Sequence, residues 1–291
     1  MTNNRIRGLK QQNIRALGLG MFDGMHLGHA QIQNHCSHLL TFDPHPALSL
    51  GKTPNLKRLT TLRELRYWMK TLLILPFDRT LAMLEPLEFL DRFIGGILKP
   101  KTLVVGYDFQ FGKQKKGNVA LIRQWASQHH IDVIEVPAYS LYGKIVKSSF
   151  IRKELESDHF DHAVKLMGHP YLMIGEVIAG QGMGRQLGFP TANLKLPQNK
   201  LVPQSGVYSG YVLHQFVQWP AMIYIGRKPT FETRHPVAVE VYIHGFEGDL
   251  YGQHLKVFIQ EKIRGEEKFP NKDALITQIN RDLITAGIMP A

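Results

Sequence analysis

The pattern of apolar residues changes once along this chain, and that change limits the fold more than any other feature. From Ile14 to about Ile134, short apolar runs alternate with segments whose apolar residues recur at helical spacing. This alternation is typical of a parallel sheet with crossover helices. After His169, runs rich in Val, Ile, Tyr and Phe are separated by Gly and Pro, with no long helix between them. Short strands at such regular spacing predict an antiparallel barrel.

The expected elements follow from these runs. The strands of the first half are predicted at Ala16–Leu19, Leu39–Phe42, Leu72–Leu75, Leu103–Val105 and Val133–Val136. Its helices are predicted at Leu62–Met69, Pro86–Leu98 and Val119–Gln128. The barrel strands are predicted at Tyr171–Ala179, Gly206–Val212, Ala221–Ile225, Val237–His244 and His254–Gln260.

Capping residues place the domain boundary and the last helix. A short helix that Ser157 or Asp158 caps and that Gly168 ends predicts the boundary. The domains are therefore expected at residues 1–168 and 169–291. Asn271 is the expected cap of a final helix that continues at helical spacing to Leu283.

Length and charge limit the class of protein. The chain has 291 residues, a 44% hydrophobic content and a net charge of +11. Domains usually have about 100–200 residues, so two are expected. The basic balance favours phosphorylated small molecules or nucleic acid as partners, although no run of five basic residues occurs.

The remaining composition argues for a cytosolic protein. Cys36 is the only cysteine, so no internal disulfide can form. The longest apolar stretches are far shorter than the roughly 18 residues of a membrane helix. The first residues lack the apolar run of a secretory signal. We therefore expect no membrane partner and a cytosolic location.

A His-x-Gly-His sequence, formed by His26, Gly28 and His29, follows the first predicted strand. It is similar to the phosphate-binding turn of the nucleotidyltransferase superfamily. Glycine allows backbone to approach a triphosphate, a helix start offers free N–H groups, and imidazoles suit developing negative charge. A chance pair of loop histidines, or a metal site with His35, Cys36 and His38, is an equal alternative on these residues alone.

The most informative stretch of the second half runs from Gly180 to Asn193. Its glycines free the backbone for approach to phosphates, Arg185 adds charge, and Thr191 and Asn193 offer hard oxygen ligands for Mg²⁺. Glu240 lies among apolar residues in a predicted strand, where an unpaired carboxylate is unfavourable unless it has a use. A flexible barrel loop and a solvent-facing glutamate are the alternatives.

The chain resembles the bacterial bifunctional riboflavin kinase/FAD synthetases. The resemblance covers nearly the whole chain in order, and the Pro-Thr-Ala-Asn block is particularly specific to flavokinases. The matching blocks are Gly20–His29, Thr41–Pro46, Leu75–Arg79, Val104–Lys113, Ser148–Arg152, Gly184–Asn193, Ile225–Phe231, the strand with Glu240, Asp249–Gly252 and Ile263–Phe269. The resemblance implies an α/β nucleotidyltransferase-like sheet domain, then a flavokinase barrel with a C-terminal helix.

The resemblance also implies two activities and the residues that carry them. The barrel would phosphorylate riboflavin to FMN with ATP and Mg²⁺, and the first domain would adenylylate FMN to FAD. In the barrel, Glu240 would be the general base, Arg185, Gly182 and Gly184 the phosphate loop, and Thr191 and Asn193 the ligands of Mg²⁺ and ATP. Arg264 and Phe269 would lie near the isoalloxazine ring.

In the first domain, the implied roles all concern ATP. His26 and His29 would contact the phosphates and Asp43 would border the reacting centre. Further implied contacts to ATP come from Gly20, Asp23, Gly24, Gly28, Gly106, Asp108, Ser148, Ser149 and Arg152.

Several departures from the family pattern bear on FAD synthesis. The family usually has Asn where Met21 stands and Thr where Phe150 stands. A milder departure lies in the kinase half, where the family usually has Asn in place of Tyr224. The segment between His29 and Leu39 is also shorter than usual, so a helix of about 13 Å would have to return along a strand of roughly 16–20 Å. We therefore expect FAD synthesis to be weak or absent while FMN synthesis persists.

Two alternatives stay open at this point. One is a monofunctional riboflavin kinase with a degenerate nucleotidyltransferase domain. The other is a basic nucleic-acid-binding protein, which would need exposed aromatic residues beside basic ones on the barrel. Most aromatic residues here lie in apolar strand patterns instead, so no nucleic-acid partner is expected. An oligomer is possible on this sequence.

Overall fold

The chain folds into two compact units. The computed structural model describes residues 13–51, 53, 55–69, 71–227 and 237–289. The first unit holds the described residues up to Arg58 together with Leu65–Lys147. The second holds Leu59–Glu64 and the described residues from Ser148 onward. The boundary predicted at Gly168 stays a prediction, although the two helices before that residue belong to the second unit by these contacts.

The first unit is built on a parallel sheet of five strands, as predicted. Their order is β3-β2-β1-β4-β5, and every neighbouring pair is parallel. The strands are β1 (Ala16–Leu19), β2 (His38–Asp43), β3 (Leu72–Pro76), β4 (Thr102–Gly106) and β5 (Asp132–Val136). A small hairpin follows, formed by β6 (Ser140–Leu141) and β7 (Lys144–Ile145).

Short helices connect these strands. They are α1 (Leu27–Gln33), α2 (Pro46–Ser49), α3 (Leu62–Trp68), α4 (Arg79–Ala82), α5 (Pro86–Phe89) and α6 (Val119–Gln128). The helix predicted from Pro86 to Leu98 is α-helical only to Phe89 and continues as a π-helix over Leu90–Leu98. Its apolar face still packs in the core of the sheet. Asn118 caps α6 by accepting a hydrogen bond from the Leu121 amide.

The strand order places the first functional region. The order reverses between β1 and β4, so the loops that follow these strands leave the sheet on either side of one crevice. The loop after β1 carries the His-x-Gly-His turn, and the loop after β4 begins at Gly106. Ligands of open α/β sheets bind outside the carboxyl ends of the strands at such a point.

The second unit is a closed six-stranded antiparallel barrel, which confirms the predicted architecture. The order around the barrel is β10-β11-β12-β9-β8-β13. The strands are β8 (Tyr171–Ile178), β9 (Thr191–Lys195), β10 (Gly206–His214), β11 (Val217–Arg227), β12 (Val237–Ile243) and β13 (His254–Arg264). Strand β9 is not among the predicted strands, because its five residues lack an apolar pattern of their own.

Four helices accompany the barrel. They are α7 (Ser148–Glu156), α8 (Phe160–Met167), α9 (Met183–Gln186) and α10 (Lys272–Thr285). Gly168 ends α8 in the left-handed region, as predicted, but the N-cap residue is His159 rather than Ser157 or Asp158. Asn271 caps α10 through the Ala274 amide at 2.8 Å, as predicted. Every helix in the described part of the chain is too short or too polar to span a bilayer.

Candidate active sites

The His-x-Gly-His turn forms a compact pair of imidazoles at the carboxyl end of β1. His26 is buried and caps α1, because its Nδ1 accepts a hydrogen bond from the His29 amide at 3.3 Å. The two rings stack with centroids 3.6 Å apart. A Cβ at Gly28 would lie 3.2 Å from the His26 ring, so glycine lets the helix start pass beneath that imidazole. The predicted turn therefore forms.

Burial controls the protonation of this pair. Desolvation, and then the neighbouring His26, lower the pKa of His29 well below the ordinary histidine value. His29 is therefore neutral at physiological pH and can offer an N–H without carrying a charge. Its Nδ1 is buried and has no hydrogen-bond acceptor or donor among the described residues.

The alternative metal site near this turn is not supported. No group of three or more His, Cys, Asp and Glu residues that could hold a metal occurs among the described residues. The Cys36 thiol donates to the Ile32 carbonyl at 3.0 Å, and burial raises its pKa to about 12. Cys36 is therefore a core residue of this unit and not a thiolate ligand.

Other predicted ATP contacts lie around the same crevice. Gly20 donates its amide to the Leu40 carbonyl, and a Cβ there would collide with the Phe22 ring. Asp23 is buried, and Gly24 has a φ of 88°. Asp108, which follows β4, pairs with Lys147 at 3.0 Å. Hydrogen bonds to Tyr107 and then to Asp108 raise the pKa of Lys147.

Sequence reasoning missed one residue of this region. Arg58 is 2% exposed, and its Nη1 lies 3.4 Å from the Oδ1 of Asp43, the last residue of β2. Its Nε and Nη2 atoms are buried and have no hydrogen-bond partner among the described residues. A single arginine in a basic, polar segment carries no periodic signal, so only the burial seen in the structure identifies it.

Three predicted phosphate contacts belong to the second unit. Ser148, Ser149 and Arg152 lie in the first two turns of α7. Phe150, which stands where the family usually has Thr, packs edge-on against His162 with ring centroids 5.8 Å apart. Their contribution to the nucleotide site stays a prediction.

The barrel brings together the three residues proposed for phosphoryl transfer. In the pairing of β12 with β9, Glu240 lies opposite Asn193. The Thr191 hydroxyl donates to Glu240 Oε2 at 3.0 Å. All three side chains are half-buried. Because Thr191 and Asn193 lie in β9 and not in a flexible loop, the strand pairing fixes their spacing from Glu240.

The glycine-rich segment packs directly on this group. A Cβ at Gly180 would collide with the Asn193 amide, and one at Gly184 would lie 3.1 Å from Thr191 Oγ1. Gly182 has a φ of 71°, a conformation that side-chain-bearing residues rarely adopt. The segment therefore needs glycine at the points where it approaches the two oxygen donors.

A cavity opens beside the glycine-rich segment. Its volume is about 560 Å³, which lies in the range of small-molecule sites. Arg185 and Thr191 line it together with Asp249, Leu250 and Tyr251 of the Asp-Leu-Tyr-Gly block. The cavity therefore joins two sequence blocks that were predicted separately, and Arg185 supplies positive charge at its wall.

The two residues predicted for the flavin, Arg264 and Phe269, lie next to each other near the end of the barrel strands, and Tyr224 lies beside Glu240. Tyr224 is directly opposite Glu240 in the pairing of β11 with β12, and its hydroxyl donates to Glu266 at 2.6 Å. Arg264 holds Asp282 of α10 through Nε and Nη2, and its guanidinium lies 5.5 Å from the centre of the Phe269 ring. Of the predicted Ile225–Phe231 block, residues 228–231 lie outside the described residues.

A parallel sheet with a His-x-Gly-His turn, joined to a barrel with a glycine loop beside Glu240, defines a two-domain transferase of nucleotide chemistry. The FAD synthetase family model matches residues 9–150, and the riboflavin kinase model matches residues 167–289. Curated relatives match over nearly the full length. The chain belongs to the bifunctional riboflavin kinase/FMN adenylyltransferase family.

Individual relatives give the extent of the match. The bifunctional riboflavin kinase/FMN adenylyltransferase of Buchnera aphidicola subsp. Schizaphis graminum is 33% identical over 96% of this chain and 95% of its own. The Escherichia coli K12 protein of the same name is 33% identical over 93% of this chain and 91% of its own length. A solved structure, described as a macrolide-efflux protein from Streptococcus pneumoniae, matches with a TM-score of 0.83 and 28% identity. The match covers 97% of this chain and 96% of that structure's chain.

Proposed function

We propose that this chain phosphorylates riboflavin to FMN and then adenylylates FMN to FAD, with ATP as the second substrate of both reactions. The observation that carries this proposal is the match of both family models, in order, on two units that hold the expected side chains. A degenerate first domain is disfavoured, because its His-x-Gly-His turn is intact and stacked. The residues of both sites suit phosphate chemistry, so no efflux or nucleic-acid function is proposed.

The kinase step begins at Glu240. Its carboxylate takes the proton of the ribityl 5′-hydroxyl, whose oxygen attacks the γ-phosphorus of ATP while the bond to the leaving ADP breaks. Thr191 donates to Glu240 Oε2, which leaves Oε1 for the substrate hydroxyl. The strand pairing keeps this base in place, so little reorganisation is needed when the hydroxyl arrives.

Thr191 and Asn193 fit the Mg²⁺ that this reaction implies. Both present neutral oxygen atoms, which a hard cation prefers, and both lie beside a carboxylate. When bound, Mg²⁺ would neutralise charge on the ATP phosphates. Arg185 would add a second positive charge at the wall of the cavity, where the triphosphate is expected.

The adenylyl transfer needs positioning more than proton transfer. An ionised phosphate oxygen of FMN attacks the α-phosphorus of ATP, and pyrophosphate leaves as the bond to the β-phosphate breaks. His26 and His29 would hold the ATP phosphates at the start of α1. Because His29 is neutral, it stabilises the transition state as a hydrogen-bond donor and not as a cation.

A single incubation tests both activities. The purified chain is given riboflavin, ATP and MgCl₂, and FMN and FAD are separated by chromatography over time. FMN that rises first and FAD that follows would support the proposal. FMN without FAD would leave only the kinase, and the absence of both would overturn the proposed function. The cytosolic location and the oligomeric state stay predictions.

A further inference from the structure

The guanidinium of Arg58 is buried and largely unpaired. It is 2% exposed, and its only ion pair among the described residues is the 3.4 Å contact of Nη1 with Asp43 Oδ1. The Asp43 carboxylate is itself 41% exposed, so half of this pair faces solvent. A buried charge is strongly unfavourable unless it is paired and hydrogen-bonded. Arg58 therefore lowers the free energy of unfolding of the chain when no ligand is bound.

Nε and Nη2 of Arg58, which have no hydrogen-bond partner in the part of the chain that the structure describes, form one edge of its guanidinium. Nε and Nη2 carry parallel N–H groups, which match two oxygen atoms of a phosphate or carboxylate. Nη1 on the opposite side contacts Asp43, which fixes the orientation of the group. The free edge is thus arranged to accept a bidentate oxyanion.

Strand order indicates which oxyanion this is. Asp43 ends β2, and β2 lies next to β1, whose loop holds His26 and His29. The crevice between β1 and β4 is the position expected for ATP. Strand β2 lies on the other side of β1, at the usual strand spacing of about 4.8 Å, and Arg58 contacts its last residue, Asp43. In adenylyl transfer, the attacking phosphate must lie next to the ATP α-phosphorus.

We propose that Arg58 binds the phosphate of FMN and presents it to ATP. This rests on the proposed function and deepens it. Nε and Nη2 hold two phosphate oxygen atoms, and the third oxygen attacks the α-phosphorus as pyrophosphate leaves. No proton has to be removed from the nucleophile, because a phosphate monoester is largely ionised at pH 7. Riboflavin, which has no phosphate, gains nothing from Arg58.

The test compares Arg58→Met and Arg58→Lys with the unchanged chain. Arg58→Met is expected to raise the KM for FMN in FAD synthesis by about 10- to 100-fold, with a much smaller change in the KM for ATP. The KM for FMN of Arg58→Lys should lie between those of Arg58→Met and the unchanged chain, because lysine keeps the positive charge but cannot bind two oxygen atoms in a fork. Riboflavin phosphorylation should be unchanged in both variants, which shows that the chain is folded.

A stability measurement separates binding from a structural role. Arg58→Met should raise the melting temperature of the ligand-free chain, because an unsatisfied buried charge is removed. Lys57→Met removes a neighbouring exposed charge and should change neither KM value. A lower melting temperature with an unchanged KM for FMN would overturn the proposal. A rise in the KM for ATP alone would also overturn it, since Arg58 would then serve the triphosphate.

Calorimetry decides the case in which no FAD is formed by the unchanged chain. That result would contradict the proposed adenylyl transfer but not the FMN site. Titration with FMN should then show weaker binding to Arg58→Met than to the unchanged chain, while riboflavin binds both equally. Binding of flavin at the kinase site is the same in both proteins, so it does not contribute to the difference between the two titrations. Equal FMN binding would overturn the inference.

Discussion

Glu240 is a carboxylate placed by strand pairing among buried neighbours. Val239 and Val241 on either side of it are buried, while its own side chain is half-buried and accepts the Thr191 hydroxyl. Glu240→Gln keeps the shape and hydrogen bonding but removes the proton acceptor. We expect FMN formation to fall by about 10²–10⁴-fold with an unchanged melting temperature. Near-normal kinase turnover in this variant would show that Glu240 is structural.

Asn193 offers a second test of the kinase group. Its amide packs against Gly180, and Asn193 pairs with Glu240 in the register of β9 and β12. Asn193→Ala should therefore weaken Mg²⁺-dependent use of ATP far more than it weakens riboflavin binding. The KM for ATP at several MgCl₂ concentrations and the fluorescence quenching of riboflavin measure the two effects. Equal losses of both affinities would contradict the assignment.

The residues found from sequence and those missed differ in a physical way. His26, His29 and Glu240 stand out because polar side chains follow or interrupt apolar runs. Arg58 does not, because arginine in a polar segment is ordinary and its burial depends on how distant segments pack. The direct pairing of Tyr224 with Glu240 also follows from a strand register that no local pattern specifies.

The crossover between β1 and β2 is short, and the strand that it follows is short as well. Helix α1 has 7 residues, about 10 Å, and β1 has 4 residues, about 13 Å. The earlier estimate assumed a strand of five or six residues, and that assumption is wrong for β1. Ser37 holds the segment between α1 and β2 against the start of β1, because its hydroxyl and amide form hydrogen bonds with the Ala16 backbone at 2.9–3.0 Å. Helix α1 is still about 3 Å shorter than β1, so the expectation of weak FAD synthesis stays a prediction.

Lengthening the crossover distinguishes a strained connection from a fitted one. An insertion of four helix-forming residues after Gln33 adds about 6 Å and one turn. If the present crossover fits, the insertion should disturb the Ser37 contacts, misplace His26 and His29, and lower FAD synthesis by about 100-fold. FMN synthesis should be unchanged, which serves as the control. An increase in FAD synthesis would show instead that the short crossover is strained.

At the scale of elements, apolar patterns located most strands because each run is buried on the sheet or barrel wall. They failed at β9, because its Thr-Ala-Asn start holds the residues proposed for the kinase site and lacks an apolar pattern. They also could not separate the π-helix from α5, since both bury the same stripe of residues. Local apolar patterns thus fail where a strand begins with polar residues and where two kinds of helix bury the same stripe.

At the scale of the whole molecule, the order of the two domains can be predicted from the sequence. The segments that make up each unit cannot. The segment Leu59–Glu64 lies within the first half of the chain and packs with the second unit. Helix α3 runs continuously through the end of this segment, and its apolar spacing shows no break there. The segment includes Glu64, which pairs with Lys200 of the second unit, and no local pattern links two residues 136 positions apart.

Glu64 and Lys200 form that pair, with both side chains fully buried. Lys200 Nζ lies 2.9 Å from Glu64 Oε2 and also donates to the Leu59 and Leu172 carbonyls. The other oxygen of Glu64 accepts the Ile174 amide at 3.0 Å. Every hydrogen-bonding group of this pair is therefore engaged with the backbone of the second unit or with the segment Leu59–Glu64.

Removing one partner should destabilise the second unit more than removing both. Glu64→Gln leaves the Lys200 charge buried without its carboxylate and should lower the free energy of unfolding by about 3–5 kcal/mol. Adding Lys200→Met to Glu64→Gln should recover much of that loss, because the uncompensated charge is gone. Glu135→Gln, which breaks the exposed pair with Arg123, should change stability by about 0–1 kcal/mol. Chemical denaturation, followed alongside the loss of FMN synthesis, measures these differences. A double variant less stable than Glu64→Gln alone would contradict this expectation, because it would show that Lys200 stabilises the fold even without its carboxylate partner.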